Sequence, residues 1–204
     1  MEVGAMWDQM YGVAHYRYGT APNAFVAEQV PQHLAPGARV LVVGDGEGRN
    51  GVWLAEQGHQ VTTIEPSIQG VNKARKLAAE RGVAPDIRHG LFPQAAKDLE
   101  PVDAVVLTFV HVPPPLRPGL HAAVIQALKP GGLVILEGFR PEQRTLGRTS
   151  GGPPAVPPLF TEQMLREDFG ALEILVLTAP TVELSEGPGH SGPAEVIRLI
   201  ARRP

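Results

Sequence analysis

Four short apolar runs alternate with helical patterns in the middle of the chain. The runs, at 40–43, 61–64, 102–107 and 133–136, contain β-branched residues and almost no polar alternation. They therefore predict strands that are covered on both faces. Apolar spacing predicts helices over 50–57, 67–81 and 116–128, with Ser67 as N-cap and Gly82 as stop of the second. This alternation predicts an α/β protein with a doubly wound, Rossmann-like sheet.

The pattern changes after residue 138. Residues 140–159 hold five prolines and a pair of glycines, which predicts a long loop, and we favour a flap over a substrate rather than a linker. A short helix is predicted over 161–168. Residues 172–178 and 194–201 then predict two strands, joined by a turn rich in Gly and Pro, that pair antiparallel at a sheet edge. The predicted sheet has about seven strands and is mainly parallel.

Composition narrows the class of protein. The 204 residues, 43% hydrophobic and 19% charged, fit one globular domain. We divide it into an N-terminal segment rich in aromatic residues, 1–38, that lids or caps the domain 39–204. The net charge of −3 gives no basic field for a nucleic acid. Since the chain has no cysteine and no pair of histidines at metal-ligand spacing, we predict no metal site.

The chain shows no sign of targeting to a membrane. It lacks a basic start followed by an apolar run, and no stretch approaches the ~20 apolar residues that a membrane span needs. We therefore expect a cytoplasmic protein without a membrane partner.

A glycine-rich turn follows the first predicted strand. Gly44, Gly46 and Gly48 lie between that strand and a helix, so the backbone can turn sharply and a ligand can approach it closely. The next strand ends at Glu65, about 20 residues further on, where a carboxylate can accept both ribose hydroxyls of an adenosine cofactor. A tight turn without a ligand is the alternative. Together the glycines and the acid favour a cofactor site.

The register of the glycines distinguishes two kinds of adenosine cofactor. Gly46, Gly48 and Gly51 formally match the dinucleotide fingerprint, which would indicate an NAD- or FAD-linked oxidoreductase. In that fingerprint the first glycine opens the turn, but here Gly44 already does so. The acids within the loop, Asp45 and Glu47, would repel a pyrophosphate but could complement an amino group and a sulfonium. This pattern favours S-adenosylmethionine.

The sequence resembles the class I S-adenosylmethionine-dependent methyltransferases, and within them the small tellurite-resistance-type and thiopurine-methyltransferase-like group. Residues 40–67, 102–139 and 190–204 carry the resemblance. It implies an enzyme that transfers a methyl group by in-line displacement to a small-molecule acceptor and releases S-adenosylhomocysteine, as a monomer or homodimer. The alternatives are a nicotinamide or flavin oxidoreductase and a non-catalytic protein that binds S-adenosylmethionine.

The resemblance also implies which residues bind the cofactor. The glycines would pass beneath its methionine part, Glu65 would bind the ribose, and the end of the fourth strand would face the transferable methyl. Leu91 and Phe92 would lie beside the adenine. The full predicted set is Gly44, Asp45, Gly46, Glu47, Gly48, Asn50, Glu65, Pro66, Ser67, Leu91, Phe92, Thr108, Phe109 and Val110. Two acids common in the family are replaced here by Val42 and Gly90.

Candidates for catalysis and for the acceptor side are fewer. His111 could take a proton from the acceptor or could simply fix a turn. Arg49 could bind an anion or could pair with an acid such as Asp8 or Glu47. Aromatic residues of the N-terminal segment could cover a sulfonium by cation–π contact or could cap the core. The predicted lid and substrate residues are Trp7, Tyr11, Tyr18 and Arg140, whereas His190, in the last turn, is expected to be exposed to solvent.

Overall fold

The computed structural model describes residues 3–155 and 157–204, with Val3 described by its backbone alone. Residues 1 and 2 of the N-terminal segment and Val156 of the predicted flap lie outside the described residues. Within the described ranges, no helix combines the length and the apolarity needed to cross a membrane.

Strands and helices alternate through most of the chain. The strands are β1 (Arg39–Val43), β2 (Gln60–Glu65), β3 (Asp86–His89), β4 (Val102–Thr108), β5 (Leu128–Phe139), β6 (Glu173–Thr178), β7 (Thr181–Ser185) and β8 (Ser191–Arg202). The helices are α1 (Val3–Tyr11), α2 (Ala24–His33), α3 (Arg49–Glu56), α4 (Ile68–Arg81), α5 (Arg117–Ala127), α6 (Glu142–Thr145) and α7 (Glu162–Asp168).

The strands form one mixed sheet in the order β3-β2-β1-β4-β5-β8-β6, with β7 pairing to β8. Strands β1 to β5 are parallel to one another, and β8 runs antiparallel to β5, β6 and β7. The predicted fold class is confirmed, including the antiparallel pairing of the C-terminal strands. The predicted number of strands is low by one, because β7 lies in the segment interpreted as a turn.

The helix ends follow local sequence signals. Helix α4 begins after Ser67, whose hydroxyl accepts a hydrogen bond from the Gly70 N–H at 3.1 Å, and ends at Gly82 in the left-handed conformation. Helix α7 begins after Thr161, whose hydroxyl caps the Met164 N–H at 3.1 Å. The helices predicted over 50–57, 67–81, 116–128 and 161–168 are all present within one residue at each end.

Two apolar layers enclose the sheet. Successive strand residues point to opposite faces, so Leu41 and Val105 join one layer, and Val42 and Val106 join the other. The first layer packs against residues of α5 and α7, and the second packs against α2 and α3. Because helices cover both faces of the sheet, a ligand has to approach at the ends of the strands. The loops that follow the parallel strands meet at the carboxyl ends of these strands. We call this edge the carboxyl edge.

Candidate functional site

The glycine loop, residues 44–48, carries the chain from β1 to α3 at the carboxyl edge. Gly44, Gly46 and Gly48 have positive φ angles of 66°, 60° and 94°, a conformation that side chains other than glycine rarely adopt. A Cβ atom at Gly48 would lie 2.6 Å from the Cβ of Ala74 on α4. The loop is therefore packed against a helix and turns its backbone toward the edge where ligands of such sheets bind.

Glu65 ends β2, and its carboxylate contacts the glycine loop. Its Oε2 accepts a hydrogen bond from the Gly46 N–H and its Oε1 accepts one from the Ser67 N–H, both at 2.8 Å. Burial raises the pKa of Glu65 to about 7, although the two backbone N–H groups oppose this shift. The acid predicted to bind ribose thus lies directly beside the loop predicted to bind the methionine part.

Pro66 and Ser67 connect β2 to α4 and tie the N-terminal segment to that connection. The Ser67 hydroxyl donates a hydrogen bond to Asp8 Oδ1 at 2.6 Å, and Asp8 also accepts one from the Gln69 N–H at 3.2 Å. The Pro66 carbonyl lies 3.0 Å from Nε2 of His89. Helix α1 is therefore fastened to the start of α4, next to the end of β2.

Asp45 caps α3. Both of its carboxylate oxygens accept hydrogen bonds from the Gly51 N–H, at 3.2 and 3.1 Å, and the residue is buried. Burial raises the pKa of Asp45 to about 7, although the Gly51 N–H opposes the shift. The carboxylate that we expected to complement the amino group of a ligand thus accepts hydrogen bonds from the backbone of α3.

We expect Asp45→Asn to change how stability depends on pH. The pKa of Asp45 is raised from 3.8 to about 7 on folding, so between these values the folded state binds a proton that the unfolded state lacks. This contribution to stability is lost as pH rises through that window. Asparagine keeps an oxygen for the Gly51 N–H but carries no charge. The melting temperature of the variant minus that of the wild type should therefore rise from pH 5 to pH 8, and a constant or falling difference would contradict the assignment.

Glu47 fastens the N-terminal segment to the glycine loop. Its Oε2 accepts a hydrogen bond from the Arg17 N–H at 2.6 Å, and its Oε1 pairs with Lys73 Nζ at 2.6 Å. The Lys73 ammonium also donates to the His15 carbonyl at 2.7 Å. Both oxygens of Glu47 therefore hold neighbouring chain segments.

Arg49, the first residue of α3, pairs with an acid from the far end of the sequence. Its Nη1 lies 2.9 Å from Oε2 of Glu186, and both side chains are buried. We expected Arg49 to bind an anion or to pair with an acid such as Asp8 or Glu47. The pairing with an acid is present, but the partner is Glu186, which follows β7.

Asn50 joins the N-terminal segment to the end of β4. Its Oδ1 accepts a hydrogen bond from the Asn23 N–H, and its Nδ2 donates to the Thr108 hydroxyl, both at 2.9 Å. Helix α3, residue 23 and β4 therefore meet at this one side chain.

The end of β4 contacts the glycine loop. A Cβ atom at Gly44 would lie 2.9 Å from Cγ2 of Val110. Phe109 has a positive φ of 56°, which is unusual for an aromatic residue and is a form of backbone strain that tends to occur at functional sites. Its ring packs against Phe139 at the end of β5, with 4.6 Å between the ring centroids. Thr108, Phe109 and Val110 thus border the predicted cofactor site.

Leu91 and Phe92 follow β3, and the structure separates them. The Gly90 N–H donates to the Glu65 carbonyl at 3.0 Å, which keeps this segment beside the end of β2. Leu91 is exposed at 52%, whereas Phe92 packs against the core and lines a cavity of about 310 Å³ with Leu41 and other apolar residues. Their predicted contact with an adenine ring stays a prediction.

His111 is held by backbone groups at both ring nitrogens. Nδ1 lies 3.0 Å from the Pro158 carbonyl, and Nε2 accepts a hydrogen bond from the Phe139 N–H at 3.0 Å. Nδ1 must therefore carry the proton, and protonating Nε2 would break its bond to Phe139. Burial lowers the pKa of His111 to about 4, although the Pro158 carbonyl opposes the shift. This arrangement favours the turn-fixing role over the role of base.

Three aromatic residues of the N-terminal segment form a cluster beside the glycine loop. Trp7 stacks on Tyr11 at 5.4 Å, and Tyr11 meets the edge of Tyr18 at 6.4 Å between ring centroids. Tyr11 is buried, and its hydroxyl lies 2.7 Å from the position that a Cβ of Gly46 would take. Tyr11 therefore lies against the loop, Trp7 and Tyr18 pack on Tyr11, and their role as a lid stays a prediction.

Arg140 lies beside the site and is paired. Its guanidinium bonds to the buried Glu195 on β8 and lies 3.3 Å from Glu142. Arg148 bonds to the same Glu195 at 2.7 Å. These contacts dock the segment after β5 onto the sheet and leave Arg140 as part of that docking.

Sequence reasoning missed the buried polar residues beneath this edge. Asn23 donates from Nδ2 to Glu137 at 2.7 Å and to Glu186 at 3.0 Å, and Arg198 donates to Glu137. His190, expected to be exposed, is buried, because residues 17–19 pack on its turn through a Gly189 N–H to Arg17 carbonyl bond of 2.8 Å. The sequence signal that could have indicated this buried cluster is the spacing of Glu186 and His190, which lie four residues apart in a turn rich in glycine.

The sequence of this chain is similar to those of several methyltransferases. A family model described as a methyltransferase domain matches residues 40–132. The chain is similar to the tRNA 5-carboxymethoxyuridine methyltransferase of Escherichia coli K12, with 35% identity over 118 residues, which cover 54% of this chain and 42% of that protein. It is 31% identical to the protein-L-isoaspartate O-methyltransferase of Gloeobacter violaceus over 151 residues, which cover 71% of this chain and 70% of the relative.

Solved structures extend the comparison of the fold. TehB from Haemophilus influenzae superimposes with a TM-score of 0.69 at 18% identity, covering 98% of this chain and 67% of that one. Magnesium protoporphyrin IX methyltransferase from Synechocystis PCC 6803, solved with bound S-adenosylmethionine, gives 0.65 at 20% identity and covers 88% and 76%. At these identities the likeness is one of fold.

The fold and the matches define the class as Rossmann-like methyltransferases. The chain belongs to the class I S-adenosylmethionine-dependent methyltransferase family. The resemblance to class I methyltransferases found in the sequence is thereby confirmed, and TehB shares the fold. The chain spans about half the length of the first curated relatives it matches, so the family does not by itself assign an acceptor.

Proposed function

We propose that this protein transfers a methyl group from S-adenosylmethionine to a small-molecule acceptor. The observation that carries the proposal is the meeting of the glycine loop, the Glu65 carboxylate and the end of β4 at one edge of the sheet. The glycines present backbone without side chains, which suits a cofactor that must lie close to the chain. Glu65 supplies a carboxylate for ribose hydroxyls. These residues fit S-adenosylmethionine.

The residues of the chain contribute positioning and the exclusion of water. When bound, S-adenosylmethionine supplies a methyl group on a positively charged sulfonium, which an acceptor displaces in line. The loop and Glu65 would hold the cofactor, and the edge residues would orient the acceptor, which has to reach ~3–3.5 Å from the methyl carbon. Tyr11 and Tyr18 offer ring faces that favour a cation and keep water away.

A small acceptor is favoured by what covers the site. Helix α1 and residues 12–23 lie over the glycine loop, and the turn after β7 closes against residues 17–19. A nucleic acid would need a basic surface for its phosphates, but the chain carries a net charge of −3. The two relatives described above are named for a tRNA and a protein acceptor, so tRNA belongs in the test.

Calorimetry and a transfer assay test the proposal. We expect S-adenosylhomocysteine to bind and NAD to give no heat. With radiolabelled S-adenosylmethionine, label should pass to at least one member of a panel of tellurite, selenite, thiopurines and phenols, and none should pass to bulk tRNA.

Each other outcome decides against part of the proposal. Heat with NAD alone would overturn the assignment to S-adenosylmethionine. Binding of S-adenosylhomocysteine without transfer to any acceptor would favour the non-catalytic alternative. Label on tRNA alone would show that the acceptor is a macromolecule.

A further inference from the structure

The turn between β7 and β8, residues 186–190, brings an acid and a histidine into contact. His190 Nδ1 lies 3.1 Å from Oε2 of Glu186. Both side chains are buried, with 4% and 9% of their surfaces exposed. A Cβ atom at Gly189 would lie 2.5 Å from Tyr18, and one at Gly187 would lie 2.5 Å from the Gly19 nitrogen. The glycines thus let this turn pack tightly under the N-terminal segment.

Glu186 is held as an ionised acceptor. Its Oε1 accepts a hydrogen bond from Asn23 Nδ2 at 3.0 Å, and its Oε2 lies 2.9 Å from Arg49 Nη1. Burial alone would raise its pKa, but the bond with His190 and the charge of Arg49 bring the pKa below its ordinary value. A carboxylate has no proton to donate, so His190 must donate from Nδ1. Nε2 then carries the lone pair.

Nε2 of His190 differs from both nitrogens of His111. Among residues 3–155 and 157–204, no hydrogen bond is formed at this nitrogen, and Gly151 packs beside it, since a Cβ atom there would lie 3.0 Å from Nε2. At His111, by contrast, the backbone groups of Pro158 and Phe139 occupy both positions. The lone pair at His190 Nε2 is therefore the one that carries no hydrogen bond within the described residues.

Aromatic rings surround this imidazole at the end of β4. The ring centroid of His190 lies 4.3 Å from that of Tyr18, 4.4 Å from Phe109 and 5.4 Å from Phe139. Phe109 precedes Val110, which contacts the glycine loop. The imidazole thus lies beside the strand end that borders the proposed cofactor site, among surfaces that suit a flat, apolar molecule.

We propose that His190, positioned by Glu186, is the general base that deprotonates a phenolic hydroxyl of the acceptor. This inference rests on the proposed methyl transfer and adds its acceptor class and its base. The phenolic O–H proton moves to Nε2 while an oxygen lone pair forms the new O–C bond. The methyl C–S bond breaks and its electron pair stays on sulfur. The imidazolium then releases its proton to water, which restores the base.

The charges around His190 suit this role. Burial lowers the pKa of His190 below its ordinary value, Glu186 opposes this shift, and Arg49 and Arg17 add to it. His111 and Tyr18 also face the imidazole. The imidazole is therefore neutral at pH 7, and the nearby carboxylate stabilises the imidazolium that forms during the reaction.

The variant His190→Asn separates the proposed role of His190 as a base from its hydrogen bond with Glu186. Asparagine can still donate to Glu186 from the place of Nδ1, but it has no basic nitrogen. His33→Asn, at the end of α2, is the matched control. Histidine ¹⁵N NMR should show one ring signal, present in wild type and absent in His190→Asn, with the Nδ1–H tautomer and a pKa below 6.5. A rapidly exchanging or charged ring at pH 7 would overturn the proposal.

Phenols of graded acidity test the catalytic role. For a phenol with a pKa near 10, kcat should fall at least about 100-fold in His190→Asn, as expected for loss of a general base. For pentafluorophenol, which is ionised at pH 7, the fall should be less than about fivefold. The acid limb of the kcat/KM profile should disappear in the variant, and His33→Asn should behave as wild type. An equal loss for all phenols, or none, would overturn the base assignment.

Binding of S-adenosylhomocysteine separates this inference from the proposed function. We expect wild type and His190→Asn to bind it with affinities within about threefold. If binding is intact but wild type transfers label only to thiols or oxyanions, the phenol and the base are wrong while methyl transfer stands. If S-adenosylhomocysteine does not bind to wild type, the proposed function itself fails.

Discussion

Replacing Glu65 with alanine is expected to weaken the binding of S-adenosylhomocysteine by about 10- to 150-fold. Its carboxylate would accept charge-assisted hydrogen bonds from the two ribose hydroxyls, and losing them costs about 1.5–3 kcal/mol of binding free energy. The measured loss of affinity also includes the effect of removing the acceptor of the Gly46 and Ser67 N–H groups, which donate hydrogen bonds to Glu65 at 2.8 Å. Isothermal titration calorimetry at pH 8 measures the change.

Two comparisons make this prediction specific. Glu65→Gln should lose less affinity for S-adenosylhomocysteine than Glu65→Ala, because its amide oxygen still accepts one hydrogen bond. The control Glu173→Ala, at the exposed start of β6, should bind it as wild type does. Because the pKa of Glu65 in the ligand-free protein is about 7, wild-type affinity should also fall from pH 8 to pH 6, and the fall should be smaller in Glu65→Gln. A folded Glu65→Ala protein with unchanged affinity would refute the assignment.

Local signals in the sequence predicted much of the fold. The β-branched runs predicted β1, β2 and β4, and Ser67 and Gly82 predicted both ends of α4. Such signals act within one turn or one strand, so they remain readable without knowledge of the tertiary structure. The pairing of β7 with β8 has no comparable signal, since Thr181–Ser185 is a strand only because β8 lies beside it.

The histidines show where local reasoning about the site stops. His111 looked available because it follows a strand, but its partners at Phe139 and Pro158 are distant in sequence. His190 looked exposed because it lies in a glycine turn, but the backbone of Arg17 covers that turn. In both cases burial and tautomer depend on segments that only the folded chain brings together.

The glycine loop was easier to predict than the acids within it. Positive φ angles at Gly44, Gly46 and Gly48 follow from the residue type and the sharp turn after β1. The partners of Asp45 and Glu47 depend on where α3 and residues 15–17 lie. Charge alone suggested a complement to a ligand, whereas the structure uses both carboxylates to hold the loop.

Replacing Glu137 with alanine is expected to lower the free energy of unfolding by about 3–5 kcal/mol. Glu137 is 1% exposed on β5, accepts a hydrogen bond from Asn23 at 2.7 Å, and accepts another from Arg198. Without it, the largely buried guanidinium of Arg198 loses its carboxylate partner and the Asn23 amide keeps only Glu186 as acceptor, and an uncompensated buried charge is costly. The Asn23 bond also anchors the segment over the glycine loop, so that segment should loosen. Urea unfolding measures the change.

The unpaired charge, rather than the lost volume, should dominate this effect. If so, the double variant Glu137→Leu with Arg198→Met should be more stable than Glu137→Ala, because replacing a buried pair by apolar residues removes the charge that was left alone. Glu183→Ala, an exposed position on β7, should change stability by less than about 0.5 kcal/mol. A double variant no more stable than Glu137→Ala would show that lost packing, and not the charge of Arg198, sets the cost in stability. A more stable double variant would show that Glu137 stabilises the fold by pairing with the charge of Arg198 beneath the carboxyl edge.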